Sequence, residues 1–261
     1  MMELRRQVMT RYISPLREGG SLPALAEADD GFRYVVKFRG AGHGEKALVA
    51  ELIGGEIARA LGLKVPEIIL LDIDQDFGRT EADEEIQDLL KWSMGLNVGL
   101  HFLNGAVTLD PYAYKMDAAT ASGIVWLDAF ITNIDRTVKN TNMLVWHRKP
   151  WLIDHGASLY FHHAWTNPEA SALSPFPYVK DHALLHRASL LEEADRKAHT
   201  TLSTRRIAEI VDLVPDELLG WEGAPGTPDE LRAVYRQFLN TRLENSEIFL
   251  RHAIEARNRI V

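Results

Sequence analysis

Asp135 is followed five residues later by Asn140, and Asp154 stands two residues before Gly156. Carboxylates and a carboxamide are hard oxygen donors. They suit magnesium, which keeps several of its waters and asks a protein for only one or two carboxylates. Phosphoryl transfer needs such a cation, a carboxylate beside the attacking hydroxyl, and a lysine or backbone amides on the phosphate tail. Asp135, Asn140 and Asp154 meet the first two needs if a loop and the hairpin after it bring them together. Taken alone, D-x-x-x-x-N describes a solvated turn equally well, because acids and asparagines favour turns. Arg136 and Lys139, set among these residues, either neutralise the acids or meet a phosphate or the substrate.

The surrounding elements sharpen the pattern. "DAATASGIVWLDAFITNI" reads as an apolar helix leading into the loop. "NMLVW" and "PWLID" read as two short strands joined by the polar turn His147-Arg148-Lys149. An aspartate–asparagine pair of this spacing, then Asp-x-Gly, also marks the catalytic and metal-binding loops of protein kinases.

The first hundred residues predict strands around one helix. "SLPALAEADDGFRYVVKFRG" holds two β-prone runs joined by Asp29-Asp30-Gly31, the first weakened by its alanines. "EKALVAELIGGEIARALGL" is helical, with Val49, Ile53, Ile57 and Leu61 recurring every four residues and Gly62 placed to end it. The Gly54-Gly55 pair costs roughly 1 kcal/mol per residue against alanine, so close packing is expected there. "VPEIILLDID" reads as a buried strand, "DEEIQDLLKWS" as a short helix and "NVGLHFL" as another strand. Beyond the hairpin, "AWTNPEASALSPFPY" is irregular, and helices are predicted near 180–197, 203–214 and 228–258. The last is headed by Thr227, Pro228 and Glu230, an N-cap with proline at the first position and a capping-box glutamate. Strands followed by helices make an α+β fold of two lobes, 1–105 and 106–261, whose junction is a natural cleft.

Composition bounds the function. The chain has 261 residues, 46% hydrophobic and 25% charged, and it is long enough to bury a sizeable core. With no cysteine it has no disulfide, thiolate metal site or cysteine nucleophile. A net charge of −8 argues against direct nucleic-acid binding, which normally needs a basic face. No run approaches the roughly 20 apolar residues that span a bilayer, and the N-terminus lacks a secretion-signal core, so a cytoplasmic protein off the membrane is expected. His162-His163 is a poor zinc site, since adjacent histidines point apart in extended chain.

"NIDRTVKNTNMLVW" with "WLIDHG" resembles the HipA-like kinases, and more distantly the phosphatidylinositol kinases, over about Tyr12 to Tyr160. The resemblance implies a bilobed protein-kinase-like fold using ATP and Mg2+. The acceptor it implies is a hydroxyl, protein serine or threonine before a small molecule or lipid head group. A nucleotide-binding pseudokinase is the remaining alternative, and the oligomeric state is left open. By the same resemblance Asp135 is the catalytic-loop carboxylate, with Arg136 beside it, and Asn140 and Asp154 are the metal ligands. Lys37 in "YVVKF" resembles the strand lysine on the nucleotide phosphates, against the plain alternative of a snorkelling surface lysine. Glu51 and Glu56 lie about 140° apart on their helix, so only one can face Lys37. Glu51, fifteen residues before Pro66, matches the family's spacing, which leaves Glu56 as a solvated acid. Gly19, Gly20 and Ser21 resemble a phosphate-covering loop, although "GGS" is also an ordinary turn. The resemblance puts adenine near His101, Phe102 and Leu103 and adds Lys139 to the nucleotide contacts. Two departures stand out: Thr137 where these kinases often carry histidine, and His155 where phenylalanine is usual.

Overall fold

The structure is a computed structural model that describes residues 3–16, 22–42, 44–75, 77 and 83–261. Five strands close into a barrel in the order β1 (Arg6–Pro15), β2 (Ala24–Ala28), β3 (Arg33–Lys37), β5 (Gly95–His101) and β4 (Ile68–Ile73). Neighbours pair antiparallel, except that β1 and β4 run parallel where the barrel closes. The alanines of β2 are what the barrel needs. Ala24 and Ala26 point inward opposite Val36 and Tyr34, so small residues make room for large ones.

Strand β1 carries no clear strand signature in the sequence. Its register slips between Met9 and Arg11 and again between Tyr12 and Ser14, which breaks the two-residue alternation that marks a strand. Its arginines are spent outside the barrel: Arg6 on Asp72 and Arg11 on Glu27.

Helix α1 (Gly44–Ala60) is buried from Leu48 to Ala58, so its polar residues as well as its apolar ones lie inside. Here an expectation fails. Glu56 is not a solvated acid but 3% exposed, with Arg59 Nε at 3.2 Å. Close packing at the paired glycines is present. A Cβ on Gly54 would stand 2.9 Å from the Cβ of His155, and one on Gly55 would stand 2.4 Å from Ile68. Helix α2 (Glu84–Trp92) is capped by Asp83, whose carboxylate accepts from Glu85 and Ile86 N–H, and it covers the barrel with Leu89 and Leu90.

After β6 (Val107–Thr108) comes α3 (Ala118–Phe130), then β7 (Met143–Trp146) and β8 (Lys149–Leu152), which form a three-stranded sheet with β6. His147 and Arg148 both take positive φ, the backbone of a tight two-residue hairpin turn. The rest is helical: α4 (Pro168–Ala172), α5 (Leu191–Thr201), α6 (Thr204–Val211), α7 (Asp216–Leu219), α8 (Pro228–Glu244) and α9 (Glu247–Asn258). One apolar core joins α1, the outer face of β4 and β5, α3 and these helices, while a second fills the barrel.

Two helix predictions are corrected. The helix expected over 180–197 begins only at Leu191; before it His182 is drawn inward, and its ring accepts the Leu184 N–H. The helix expected over 228–258 breaks at Asn245-Ser246. There the Asn245 amide turns back to Thr241 O, and the Ser246 hydroxyl meets His199. Its head is as expected, with Thr227 and Glu230 forming a reciprocal capping box. Among the described residues no helix is long and apolar enough to cross a membrane.

Candidate active site

On β3, Tyr34 and Val36 face the barrel interior, so alternation turns Lys37 outward onto α1. There its Nζ lies 2.6 Å from Glu51 Oε2 and also donates to Asp154 Oδ1. Asp154 comes from the bend after β8 and takes a left-handed backbone, φ 57°. Lys37 and Glu51 are buried, whereas the Asp154 side chain is 36% exposed and opens the cluster to solvent. Burial, the largest influence, opposes charge on the lysine and the glutamate alike. For Lys37, Glu51 and Asp154 outweigh it and push the ammonium up to about 12. For Glu51, Lys37 and His155 outweigh it and hold the carboxyl down at about 2.

His155 is locked by the same glutamate. Its backbone N–H donates to Glu51 Oε2 at 2.9 Å, and its ring Nδ1 lies 3.5 Å from Glu51 Oε1. The ring is fully buried and packs on the bare backbone of Gly54. The ring therefore sits in the interior with Glu51 as a charged neighbour.

The loop after α3 is held from inside. Asp128, on the last turn of α3, is fully buried and accepts from Asn133 Nδ2 at 2.9 Å, Arg136 Nε at 2.6 Å and His182 Nε2 at 2.9 Å. His182 Nδ1 accepts the Leu184 N–H, so the ring proton sits on Nε2 and points at the carboxylate. Burial would raise the Asp128 carboxyl. Arg136 and His182 overcome it and hold the group well below the usual carboxylate range.

Arg136 also donates to the carbonyls of Asn142 and Ile153, and only 1% of it is exposed. The side chain therefore faces the protein interior and not the solvent. Its guanidinium is the pin that fastens the loop to the hairpin. Thr137 acts within the loop itself. Its hydroxyl accepts the Asn140 N–H at 3.3 Å and its N–H donates to Asn140 O, which shapes the turn.

Asp135 stands above this foundation, partly exposed, with Oδ2 accepting from Asn140 Nδ2 at 2.7 Å and Asn142 Nδ2 at 3.1 Å. Among the described residues nothing donates to Oδ1. Asn142 also accepts the Ile153 N–H, so the chain from Asp135 through Asn142 to the residue before Asp154 is continuous. Lys139 and Asn140 are exposed. His101 closes β5 with its N–H on Glu67 O, Phe102 donates to Arg33 O, and Leu103 is buried at the exit from the barrel. Gly19, Gly20 and Ser21 lie outside the described residues. His162 belongs to the core, its Nδ1 2.9 Å from the Tyr235 hydroxyl.

Three positioning residues escaped the sequence reading: Asp128, Asn142 and His182. Asp128 did leave a signal. A single acid inside the apolar run "VWLDAF" is costly to bury unless partnered, so it announces a cation or donors nearby. His182 left none, since it is 54 residues away in the chain.

The model of the HipA-like kinase family matches residues 9–240, so the chain belongs to the HipA-like kinases. The match runs well past Tyr160. Fourteen chains of solved structures resemble it. One is a Helicobacter pylori proinflammatory kinase, CtkA, with a TM-score of 0.57 and 14% identity over 97% of this chain and 99% of that one. That likeness is one of fold. Among curated proteins none matches.

Proposed function

We propose that the protein is a kinase that uses ATP with magnesium to phosphorylate a hydroxyl group, first of all a protein serine or threonine. The observation that carries this reading is the Lys37 ammonium, shared between buried Glu51 and solvent-facing Asp154. An ammonium already held by a buried carboxylate can exchange its outer partner for a phosphate without losing its own position. Family membership and the two amide bonds on Asp135 support the same reading.

The donor set fits magnesium. Asp154 offers Oδ2, and Asn140 offers Oδ1 because its nitrogen is committed to Asp135. Among the described residues no group of three or more His, Asp or Glu side chains gathers to hold a metal, so the rest of the shell falls to phosphate and water. When bound, the cation neutralises charge on the phosphates. Lys37, steadied by Glu51, binds the phosphate tail. Asp135 orients the acceptor hydroxyl through Oδ1 and takes its proton, its rotamer fixed by Asn140 and Asn142. In this reading the fold is bilobed, 1–105 and 106–261, with adenine against His101, Phe102 and Leu103. Gly19, Gly20 and Ser21 cover the phosphates, and exposed Lys139 supplies a further cation beside the loop.

Calorimetry with ATP and GTP, each with and without magnesium, is the test. Magnesium-dependent ATP binding is expected, and Asp154→Ala should abolish the dependence. If that variant binds magnesium–ATP as tightly as the parent, the metal assignment is lost.

A further inference from the structure

A cavity of about 130 Å³ opens to the surface. Ile134, the residue just before Asp135, forms one wall together with Thr132. Phe161, Phe176 and Phe238, all nearly fully buried, form the floor, with Phe161 and Phe238 stacked 4.2 Å apart. Tyr160 and Tyr178, each about half exposed, stand at the rim. None of the described residues lining it carries a charge, so an ionised group would enter unpaired, at a large desolvation cost. Its size approaches the roughly 150 Å³ of an apolar cavity that takes up benzene, and so suits one bulky apolar side chain.

The walls are built and held. Thr132 and Phe176 both take left-handed backbone, at φ 55° and 54°, a conformation that a β-branched or bulky residue adopts only when its surroundings impose it. The Thr132 hydroxyl accepts the Tyr160 N–H at 3.1 Å, tying the two sides of the opening together. Arg242, fully buried, donates to the Ala129, Ala172 and Ser174 carbonyls and clamps the wall that carries Ser174 to the end of α3. Left-handed backbone at two wall residues and a buried cation spent on three carbonyls hold the hollow in shape.

Resting on the kinase reading above, we infer that this hollow selects the acceptor. It takes a Leu, Met or Phe side chain of a polypeptide, one or two positions from the serine or threonine that is phosphorylated. Ile134 and Asp135 are adjacent in the chain, with Cα atoms about 3.8 Å apart, so an extended polypeptide whose hydroxyl meets Asp135 can bring a side chain one or two positions away to the hollow beside Ile134. A polypeptide carries both groups at that regular spacing, and the half-exposed tyrosine rim offers apolar faces with hydroxyl tips to its backbone.

The test is a peptide library with a fixed central serine or threonine and randomised flanks, phosphorylated with magnesium–ATP by the whole chain. About tenfold preference for Leu, Met or Phe over Ala, Asp or Lys is expected at one adjoining position. Ser174→Phe, which fills the hollow, should bring that preference to parity, and Tyr178→Ala at the rim should weaken it, both with unchanged magnesium–ATP affinity. Independently of turnover, N-acetyl-phenylalaninamide should shift the Ile134 methyl resonances of the parent and not of Ser174→Phe. Phosphorylation without flanking preference, or a preference untouched by Ser174→Phe, overturns the inference. So does an Ile134 signal that ignores the probe, and if no peptide turns over, that signal alone decides. Failure of magnesium–ATP binding counts against the kinase reading and leaves the methyl shift free to judge the hollow.

Discussion

Two buried carboxylates sit at the heart of this molecule, and they differ in one respect. Asp128 and its partner Arg136 are both sealed, with side-chain exposures of 0% and 0%. Glu51 is equally buried, yet its lysine reaches past it to Asp154, which is 36% exposed. In the first cluster every charge finds its partner inside, and the carboxylate is a fastener for the loop, the hairpin and the His182 segment. In the second, one acid is structural and the other faces solvent, so the cation between them can change partners. Exposure at a single end separates the two clusters, although the ion-pair chemistry is the same.

The sharpest way to break that contrast is at the residue the scaffold serves. Asp135→Asn should cut phosphoryl transfer about 10²- to 10⁴-fold, as loss of a positioned general base does, while nucleotide affinity changes little. Turnover assays beside calorimetry check it, and a parallel loss of affinity would mean Asp135 acts on the nucleotide instead. Asp128→Ala attacks the fastener. It strands the Arg136 guanidinium in the core and should cost about 3–5 kcal/mol of stability in denaturant unfolding. A loss below about 1 kcal/mol would show that water reaches the cluster.

The pH dependence compares both clusters at once. Glu51 is held down at about 2 against an ordinary 4.5, and Asp128 is also held low. A carboxyl with a depressed folded value contributes stability that is complete above its unfolded value and fades as pH falls toward the folded one. Stability should therefore drop steeply from about pH 4.5 down to about pH 2, with Glu51 alone accounting for something on the order of 3 kcal/mol. Urea unfolding across that window reads it, and in Glu51→Gln the slope should shrink. Lys37, raised to about 12, works in the opposite sense: its contribution is complete below its ordinary 10.5 and is lost as pH climbs through 12. The smallest effect concerns packing. Gly54→Ala places a Cβ 2.9 Å from that of His155 and should cost about 1–3 kcal/mol in thermal or denaturant unfolding. Because His155 N–H holds Glu51, the same change should weaken nucleotide binding, whereas an overpacked site near Asp128 should not.

Much of this was readable from residues close in the chain. Helix α1 declared itself by apolar residues every four positions, α8 by its capping box, and the loop and hairpin by their polar punctuation. Other features depend on partners far away. β1 hid because bulges scramble its alternation, and it is a strand only because β2 and β4 supply its hydrogen bonds. Arg136 left two readings open, neutralising the acids beside it or meeting a phosphate or the substrate. Its true partner, Asp128, sits eight residues back on a helix whose last turn faces inward. Glu56 looked solvated because a helix wheel assumes one wet face, and α1 has almost none.

By itself, then, the sequence determined the chemical vocabulary and the order in which it is spelled: Lys37 on a strand, Glu51 on the next helix, Asp135 and Asn140 in a loop, Asp154 before a glycine. Short-range spacing and periodicity are enough for that, because they are set by backbone geometry within a few residues. Only the tertiary structure decided which charges are sealed and which meet solvent. Burial comes from segments more than a hundred positions apart closing over one another, and desolvation is what separates a sealed ion pair from one that opens to solvent.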